Sequence, residues 1–213
     1  MKEFLSPGRY IDSDHAAVIE FARKHVKGSS DVERAVSLYY AVRDGIRYNP
    51  FLDFSRDTAF QGSKCLETGE GFCIGKAALL AACARAVGIP ARVGFADVKN
   101  HLTTPRLAER MGTDLFVYHG FTELWLEGKW VKATPAFNFD LCRKFRVKPL
   151  EFDGRSDSIF HPFDADDRRH MEYLRSRGSH ADVPVAEIQK VFRETYPALY
   201  GLGKEAAKEA FSP

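Results

Sequence analysis

The chain has 213 residues, 45% of them hydrophobic, which is enough for one domain with a sizeable core. Its 31 Lys and Arg against 29 Asp and Glu leave a formal net charge of +2, which argues against a general nucleic-acid-binding protein. No apolar run is long enough to span a bilayer, and the N-terminus lacks the pattern of a secretory signal, so we expect a cytoplasmic protein with no membrane partner. The four cysteines form no C-x-x-C pair, which favours reduced thiols over a disulfide scaffold or a zinc site.

The first part of the chain predicts two helices. Apolar residues at helical spacing predict the first over residues 13–26. Ser30 and Glu33 match a capping box, which marks the start of a second helix. That helix ends before Pro50, because the residue before a proline resists the helical conformation. Residues 51–64 are polar, and we expect them to be irregular.

Residues 64–90 have the pattern of a tight turn, a cysteine and a buried helix. Gly69 and Gly71 allow the backbone conformations that a sharp turn needs. After Cys73, the small and aliphatic residues 77–82 predict a helix buried on nearly all sides. A thiol in the first turn of such a helix meets free N–H groups and the positive end of the dipole, which favour a lowered pKa and a nucleophilic role. The alternative is that Cys73 is a small buried hydrophobe.

Three strands are expected after the cysteine helix. Residues 91–96 predict the first, and residues 104–111 predict a short surface helix after it. Residues 115–126 and 130–134 predict two further strands, and Glu127-Gly128 between them is a hairpin turn.

The register of this hairpin singles out His119 among the seven histidines. A two-residue turn places Leu126 opposite Lys129, so His119 and Thr134 share one face of the sheet as diagonal neighbours. His119 can therefore accept the Cys73 proton, while Thr134 or a residue just beyond it holds the other ring nitrogen. The alternative is a strand histidine whose ring bonds to the backbone.

The chain changes character beyond residue 150. Residues 151–167 lack periodicity and predict an ordered segment that wraps the core. Residues 168–177, 184–196 and 203–211 predict three helices, the last of them frayed.

We therefore predict a single domain in which residues 1–150 form the core and residues 151–213 form a helical extension. One group of His and Asp residues in the extension has a spacing that matches no zinc or calcium loop, so we predict no metal site and no cofactor. That group consists of His161, Asp164, Asp166, Asp167 and His170.

Two motifs in this chain resemble the core of the transglutaminase-like superfamily. Residues 66–93 carry LETGEGFC and RAVGIPARV, and residues 119–131 resemble that family's histidine strand and the Trp-bearing strand after it. Residues 40–48 resemble the helix that precedes the core. The resemblance implies an α+β, papain-like fold in which the buried cysteine helix packs on an antiparallel sheet, with extra helices at both ends. It also implies a catalytic triad with Cys73 as the nucleophile and His119 as its partner.

The chain departs from the family pattern at the third position. The family has Asp four residues after the strand tryptophan, and Thr134 stands there in this chain. A hydroxyl can accept a hydrogen bond from the imidazole but brings no charge. Asn138 or Asp140 is an alternative third residue, because orientation of the ring is much of its task. The other explanation is a weakened or inactive site.

The resemblance implies a cysteine hydrolase or acyltransferase that forms an acyl-enzyme on Cys73. Its substrate is expected to be a peptide, a protein or a small amide, and hydrolysis is favoured over cross-linking. The alternatives are an inactive binding or scaffold protein and an acetyltransferase that uses a thioester donor. We expect residues 97–114 and the segment after residue 149 to set specificity. The sequence indicates no oligomeric state.

Overall fold

The computed structural model describes residues 1–100, 107, 109, 111–159, 171–198 and 200. These residues form six helices and six strands, together with two short 3₁₀ helices at Lys2–Phe4 and Asp57–Phe60. The helices are α1 (Ala16–His25), α2 (Asp31–Gly45), α3 (Gly62–Thr68), α4 (Cys73–Ala86), α5 (Phe139–Phe145) and α6 (Val185–Thr195). The strands are β1 (Arg47–Tyr48), β2 (Glu70–Gly71), β3 (Ala91–Asn100), β4 (Leu115–Leu126), β5 (Lys129–Ala133) and β6 (Met171–His180).

Local capping sets the starts of the first two helices. The His15 ring accepts a hydrogen bond from the N–H of Ala17 at the start of α1. Ser30 and Glu33 form the complete capping box at the start of α2, as the sequence predicted. Both predicted N-terminal helices are therefore confirmed.

Helix α4 is the central element of the fold. It packs against β4 and β3 on one side and against α1, α2 and α3 on the other. All of its residues except Ala86 are buried, which confirms the prediction of a helix enclosed on nearly all sides. Its small side chains let the surrounding helices and the sheet approach closely on every face.

Lys76 and Arg85 are the charged residues of this mostly apolar helix, and Lys76 is the more deeply buried of the two. Its side chain is fully buried, and its Nζ donates hydrogen bonds to the carbonyl oxygens of Arg43 at 2.8 Å and Ile46 at 2.5 Å. Those carbonyls lie at the end of α2, where helical carbonyls lack partners within the helix. Burial lowers the pKa of Lys76 to about 7.

The main sheet has four antiparallel strands in the order β5-β4-β3-β6. Leu126 pairs with Lys129 across the predicted hairpin turn, and the register continues without a shift to Thr122 and Ala133. The strand ends there, because the N–H of Thr134 donates to the carbonyl of Ser158 at 2.9 Å. The antiparallel sheet and its hairpin register are confirmed, and β1 and β2 form a separate two-stranded parallel sheet.

Two local predictions are wrong. Residues 171–177 were expected in a helix, but they belong to β6, which pairs with the outer edge of β3. The extension after residue 150 is therefore not helical throughout. Residues 51–64 are more regular than expected, since they hold a 3₁₀ helix and the start of α3.

The helix predicted over residues 184–196 is confirmed as α6. The helix predicted over residues 203–211 and the proposed cluster from His161 to His170 lie outside the described residues, as does most of the helix predicted over residues 104–111. Among the residues that the structure describes, no helix is both long and apolar enough to cross a membrane.

Candidate active site

Cys73 is the first residue of α4, directly after the glycine turn. Gly69 ends α3 in the left-handed conformation, with φ of 69°. A Cβ added at Gly71 would lie 2.6 Å from the Cys65 sulfur, so only glycine fits there. The carbonyl of Gly71 accepts a hydrogen bond from the N–H of Asn49 at 2.9 Å, which ties the turn to the chain beyond β1. The turn thus presents Cys73 in a fixed position.

Strand β4 crosses directly over the start of α4. A Cβ added at Gly120 would lie 3.0 Å from the Cα of Ile74 and 3.3 Å from its backbone nitrogen. The Thr122 hydroxyl donates to the carbonyl of Ala77 at 2.8 Å, one turn further along the helix. The close approach at Gly120 sets the residue beside it, His119, next to the helix start that carries Cys73.

A β-bulge precedes His119 in β4. Val117 and Tyr118 lie opposite the single residue Asp97 of β3, where the register shifts. Tyr118 has φ of 54°, and its N–H donates to the Asp97 carboxylate at 3.1 Å. Arg175 of β6 also donates to that carboxylate, at 2.7 Å. Bulges next to active sites commonly change the direction of a side chain, and here the affected neighbour is His119.

Cys73 and His119 line one cavity of about 50 Å³. Both are buried, with 8% and 3% of their surface exposed. The remaining lining comes from apolar and aromatic side chains: Tyr48, Pro50, Phe54, Phe72, Leu107, Met111, Phe116, Val117, Phe192 and Tyr196. The structure therefore brings the two principal predicted site residues together.

The electrostatics of the thiol differ from the sequence-based expectation. Burial raises the pKa of Cys73 to about 11, although hydrogen bonds from the backbone N–H groups of Gly120, Ile74 and Cys73 itself lower it. The expected net lowering is wrong because removal of the sulfur from water outweighs the helix start. At neutral pH the thiol needs a base to accept its proton, and the imidazole in this cavity can act as that base.

The three candidates for the third site position differ in their hydrogen-bond partners. Thr134 is buried, and its hydroxyl makes no hydrogen bond within the described residues, so it does not bond to the His119 ring. The side-chain oxygen of Asn138 accepts the N–H of Tyr48 at 3.1 Å. Asp140 is exposed and pairs with Arg143 at 3.4 Å. The residue that orients His119 stays a prediction.

Two further polar groups near this region have structural roles. Gln61, upstream of the cysteine helix, donates its side-chain amide to Asp12 at 3.0 Å and does not line the cavity. Glu123 forms an ion pair with Arg92 across the sheet.

Sequence reasoning missed the contribution of α6 to the cavity. Phe192 and Tyr196 were assigned only to a helix, and their four-residue spacing predicts one buried face without indicating which surface covers it. Among the described residues, no group of three or more His, Cys, Asp or Glu side chains could hold a metal ion.

Comparison with known proteins gives a family but no close relative. The family model of the transglutaminase-like superfamily matches residues 19–135, which is more than half of the chain. No curated protein sequence matches the chain at a significant level.

Solved structures with similar folds are distant. A Cytophaga hutchinsonii protein proposed to be a cysteine protease shares 19% identity, with a TM-score of 0.47 over 83% of this chain and 53% of its own. A Parabacteroides distasonis protein proposed to be a protease shares 16% identity, with a TM-score of 0.39 over 62% of this chain and 24% of its own. The chain thus spans about half of the first protein and about a quarter of the second. From the family match over residues 19–135, the chain belongs to the transglutaminase-like superfamily, with its mixed α+β, papain-like fold.

Proposed function

We propose that this chain is a cysteine-dependent hydrolase of amide bonds, with Cys73 as the nucleophile and His119 as the general base and acid. One observation carries the proposal: the two side chains line the same cavity. The close contact between Gly120 and Ile74 holds the histidine strand against the cysteine helix. A buried thiol beside an imidazole is the arrangement that cysteine nucleophiles use. The substrate class is a peptide, a protein or a small amide.

The reaction follows from these positions. His119 takes the proton from the Cys73 thiol as the sulfur attacks the carbonyl carbon, and an S–C bond forms. The backbone N–H groups that face the sulfur, those of Gly120 and Ile74 among them, are donors placed near the developing oxyanion. The C–N bond breaks as His119 gives its proton to the leaving amine.

Water then resolves the acyl-enzyme. It attacks the thioester carbonyl and loses a proton to His119, the S–C bond breaks, and the sulfur recovers that proton from the imidazole. The products are a carboxylic acid and an amine, and the enzyme returns unchanged. Acyl transfer to an amine in place of water would give the transglutaminase-type reaction with the same residues.

The orientation of His119 requires a third group. Thr134 and Asn138 are the two candidates, because the segment that contains them runs beside the cavity: the ring of Phe137 packs against Tyr48, a cavity residue, at 4.8 Å between ring centroids. The buried, unbonded hydroxyl of Thr134 favours a second candidate function, a binding protein that keeps the fold but has lost catalysis.

The pH dependence of Cys73 alkylation separates the two. In the wild type, we expect the reaction with iodoacetamide to be fast already at neutral pH, because His119 accepts the proton. In His119→Ala we expect the rate to rise until about pH 11, the raised pKa of the buried thiol. His25→Ala, a histidine outside the cavity, serves as the matched control.

Mass spectrometry assigns the modified residue, with Cys73→Ala as the blank and Cys142→Ala as a buried-cysteine control. We also expect His119→Ala to lower turnover of amide or activated ester substrates by about 10²- to 10⁴-fold. Identical pH profiles for the wild type and His119→Ala would contradict the enzyme proposal and support the binding protein.

A further inference from the structure

We infer that helix α6 forms one wall of an acyl-group pocket at Cys73, and that this pocket selects a small, uncharged, apolar acyl group. The inference rests on the proposed function, which makes Cys73 the nucleophile. It adds the substrate class and the element that determines it.

The lining excludes charge. Apart from Cys73 and His119, the described residues that surround the cavity are apolar or aromatic, and none of them is Asp, Glu, Lys or Arg. A charged group entering this space would lose its hydration, and among the described lining residues only His119, once it has taken the Cys73 proton, would carry a stable charge. Acidic and basic acyl groups are therefore disfavoured.

The volume excludes bulky groups. An apolar cavity of about 150 Å³ binds benzene. The cavity beside Cys73 measures about 50 Å³, which accommodates a short aliphatic group. Phe54 and Phe192 close one side, with their rings packed edge to face at 5.3 Å between centroids.

Helix α6 is fixed to the strand that carries His119. The Tyr196 hydroxyl accepts the N–H of Val117 at 2.7 Å and donates to the carbonyl of Leu115 at 2.8 Å. The Tyr118 hydroxyl bonds to Glu187 at the other end of the helix. These contacts lie at both ends of α6, so they fix the positions of Phe192 and Tyr196 relative to β4.

The position of this wall in the chain is informative. Phe192 of α6 and Tyr196, the residue directly after this helix, both lie beyond the segment 19–135 that the family model matches. The family core supplies the cysteine and the histidine, whereas the size limit comes from the C-terminal part of this chain. We therefore assign Phe192 as a specificity-determining residue.

Charge selectivity is tested with two alkylating agents of nearly equal size, neutral iodoacetamide and anionic iodoacetate. The ratio of their rates at Cys73 is compared with the ratio for N-acetylcysteine at the same pH. We expect the protein to disfavour iodoacetate at least tenfold more than the free thiol does. A ratio equal to that of N-acetylcysteine would overturn the inference.

Size selectivity is tested with p-nitrophenyl acetate and p-nitrophenyl hexanoate in single-turnover acylation. The Cys73 sulfur replaces p-nitrophenolate at the ester carbonyl, and the released phenolate is measured. We expect the wild type to prefer acetate, and Phe192→Leu to shift the acetate-to-hexanoate ratio toward hexanoate by about tenfold, because apolar pockets discriminate by about that factor per methylene. Met111→Ala opens the cavity elsewhere and provides a second variant if Phe192→Leu folds poorly.

Ile188→Val is the matched control, since it trims the buried face of the same helix outside the cavity. Equal acyl preferences in Phe192→Leu, Met111→Ala and Ile188→Val would overturn the assignment of the wall. Failure of the proposed function has a different signature: His119→Ala would then leave the reactivity of Cys73 unchanged, while the ratio of the two alkylating agents could still be measured.

Discussion

The contact between Gly120 and the start of α4 can be tested by adding a single methyl group. In Gly120→Ala the new Cβ would lie 3.0 Å from the Cα of Ile74, 3.1 Å from its Cγ1 and 3.3 Å from its nitrogen. Carbon atoms that are not bonded normally approach to about 3.5–4.0 Å. Two of the three atoms belong to the helix backbone, so a rotamer change cannot relieve the overlap. The strand must move away from the helix by about 0.5–1 Å.

This displacement has two expected consequences. Overpacking of a well-packed core costs about 1–3 kcal/mol of unfolding free energy. A misplacement of about 1 Å between reacting groups costs about 100-fold in rate, so we expect acylation of Cys73 to fall 10- to 100-fold. The hydrogen bond from the Gly120 N–H also lowers the pKa of Cys73, and its loss would raise that pKa further.

The assay combines urea unfolding with the rate of p-nitrophenyl acetate acylation at a temperature where both proteins are fully folded. Gly45→Ala is the control, because an added Cβ there meets nothing within 4 Å. We expect Gly45→Ala to keep the wild-type acylation rate. Gly120→Ala that is destabilised as expected but acylates at the wild-type rate would refute this reasoning. The contact between Gly120 and Ile74 would then not set the distance between Cys73 and His119.

Two further substitutions probe buried polar groups. Burial sets the pKa of Lys76 at about 7 in the folded chain, against 10.5 when unfolded, so the unfolded chain binds more protons between these values and stability rises with pH. From pH 7 to 8.5 we expect the wild type to gain about 2 kcal/mol of unfolding free energy relative to Lys76→Met, as measured by urea unfolding. If the unfolding free energies of both proteins change equally between these pH values, the buried amine does not lose its proton in this range. For Thr134→Val we expect about 1 kcal/mol of added stability, because the buried hydroxyl has no hydrogen-bond partner in the described part of the chain. Activity should stay within about threefold, since no bond in the structure links this hydroxyl to His119, and a loss of 100-fold or more would show that Thr134 orients the ring during catalysis.

The elements predicted well from the sequence are those that local chemistry determines. The capping box at Ser30, the glycine turn before Cys73 and the two-residue turn after Leu126 each act over a few residues, and each appears where it was expected. The hairpin turn also predicted the register of β4 and β5 correctly, because a turn of known length determines which residues pair along both strands.

Strand β6 was missed because its conformation depends on a distant partner. The segment MEYLRSRGSH is mostly exposed and shows no alternation of apolar and polar residues. It is extended because β3 offers an unpaired edge, a contact between residues about 80 positions apart in sequence. Edge strands of this kind carry little local signal.

The pKa of Cys73 was predicted with the wrong sign for a similar reason. The sequence indicates the helix start but not the burial of the sulfur. Two of the side chains that enclose it, Phe192 and Tyr196, lie more than 110 residues further along the chain. The positions of Thr134 and Asn138 relative to His119 also depend on the path of the chain after β5, where the pairing register no longer constrains it.

The division of the cavity between two parts of the chain has an evolutionary consequence. Cys73 and His119 lie within residues 73–119, while Phe192 and Tyr196, which bound the space beside them, come from residues 185–196. Under the proposed function, substitutions in α6 change which molecules are accepted while Cys73 and His119 stay the same. Under the proposed function, the substrate range and the bond-breaking chemistry are therefore encoded in separate segments of the chain and can change independently.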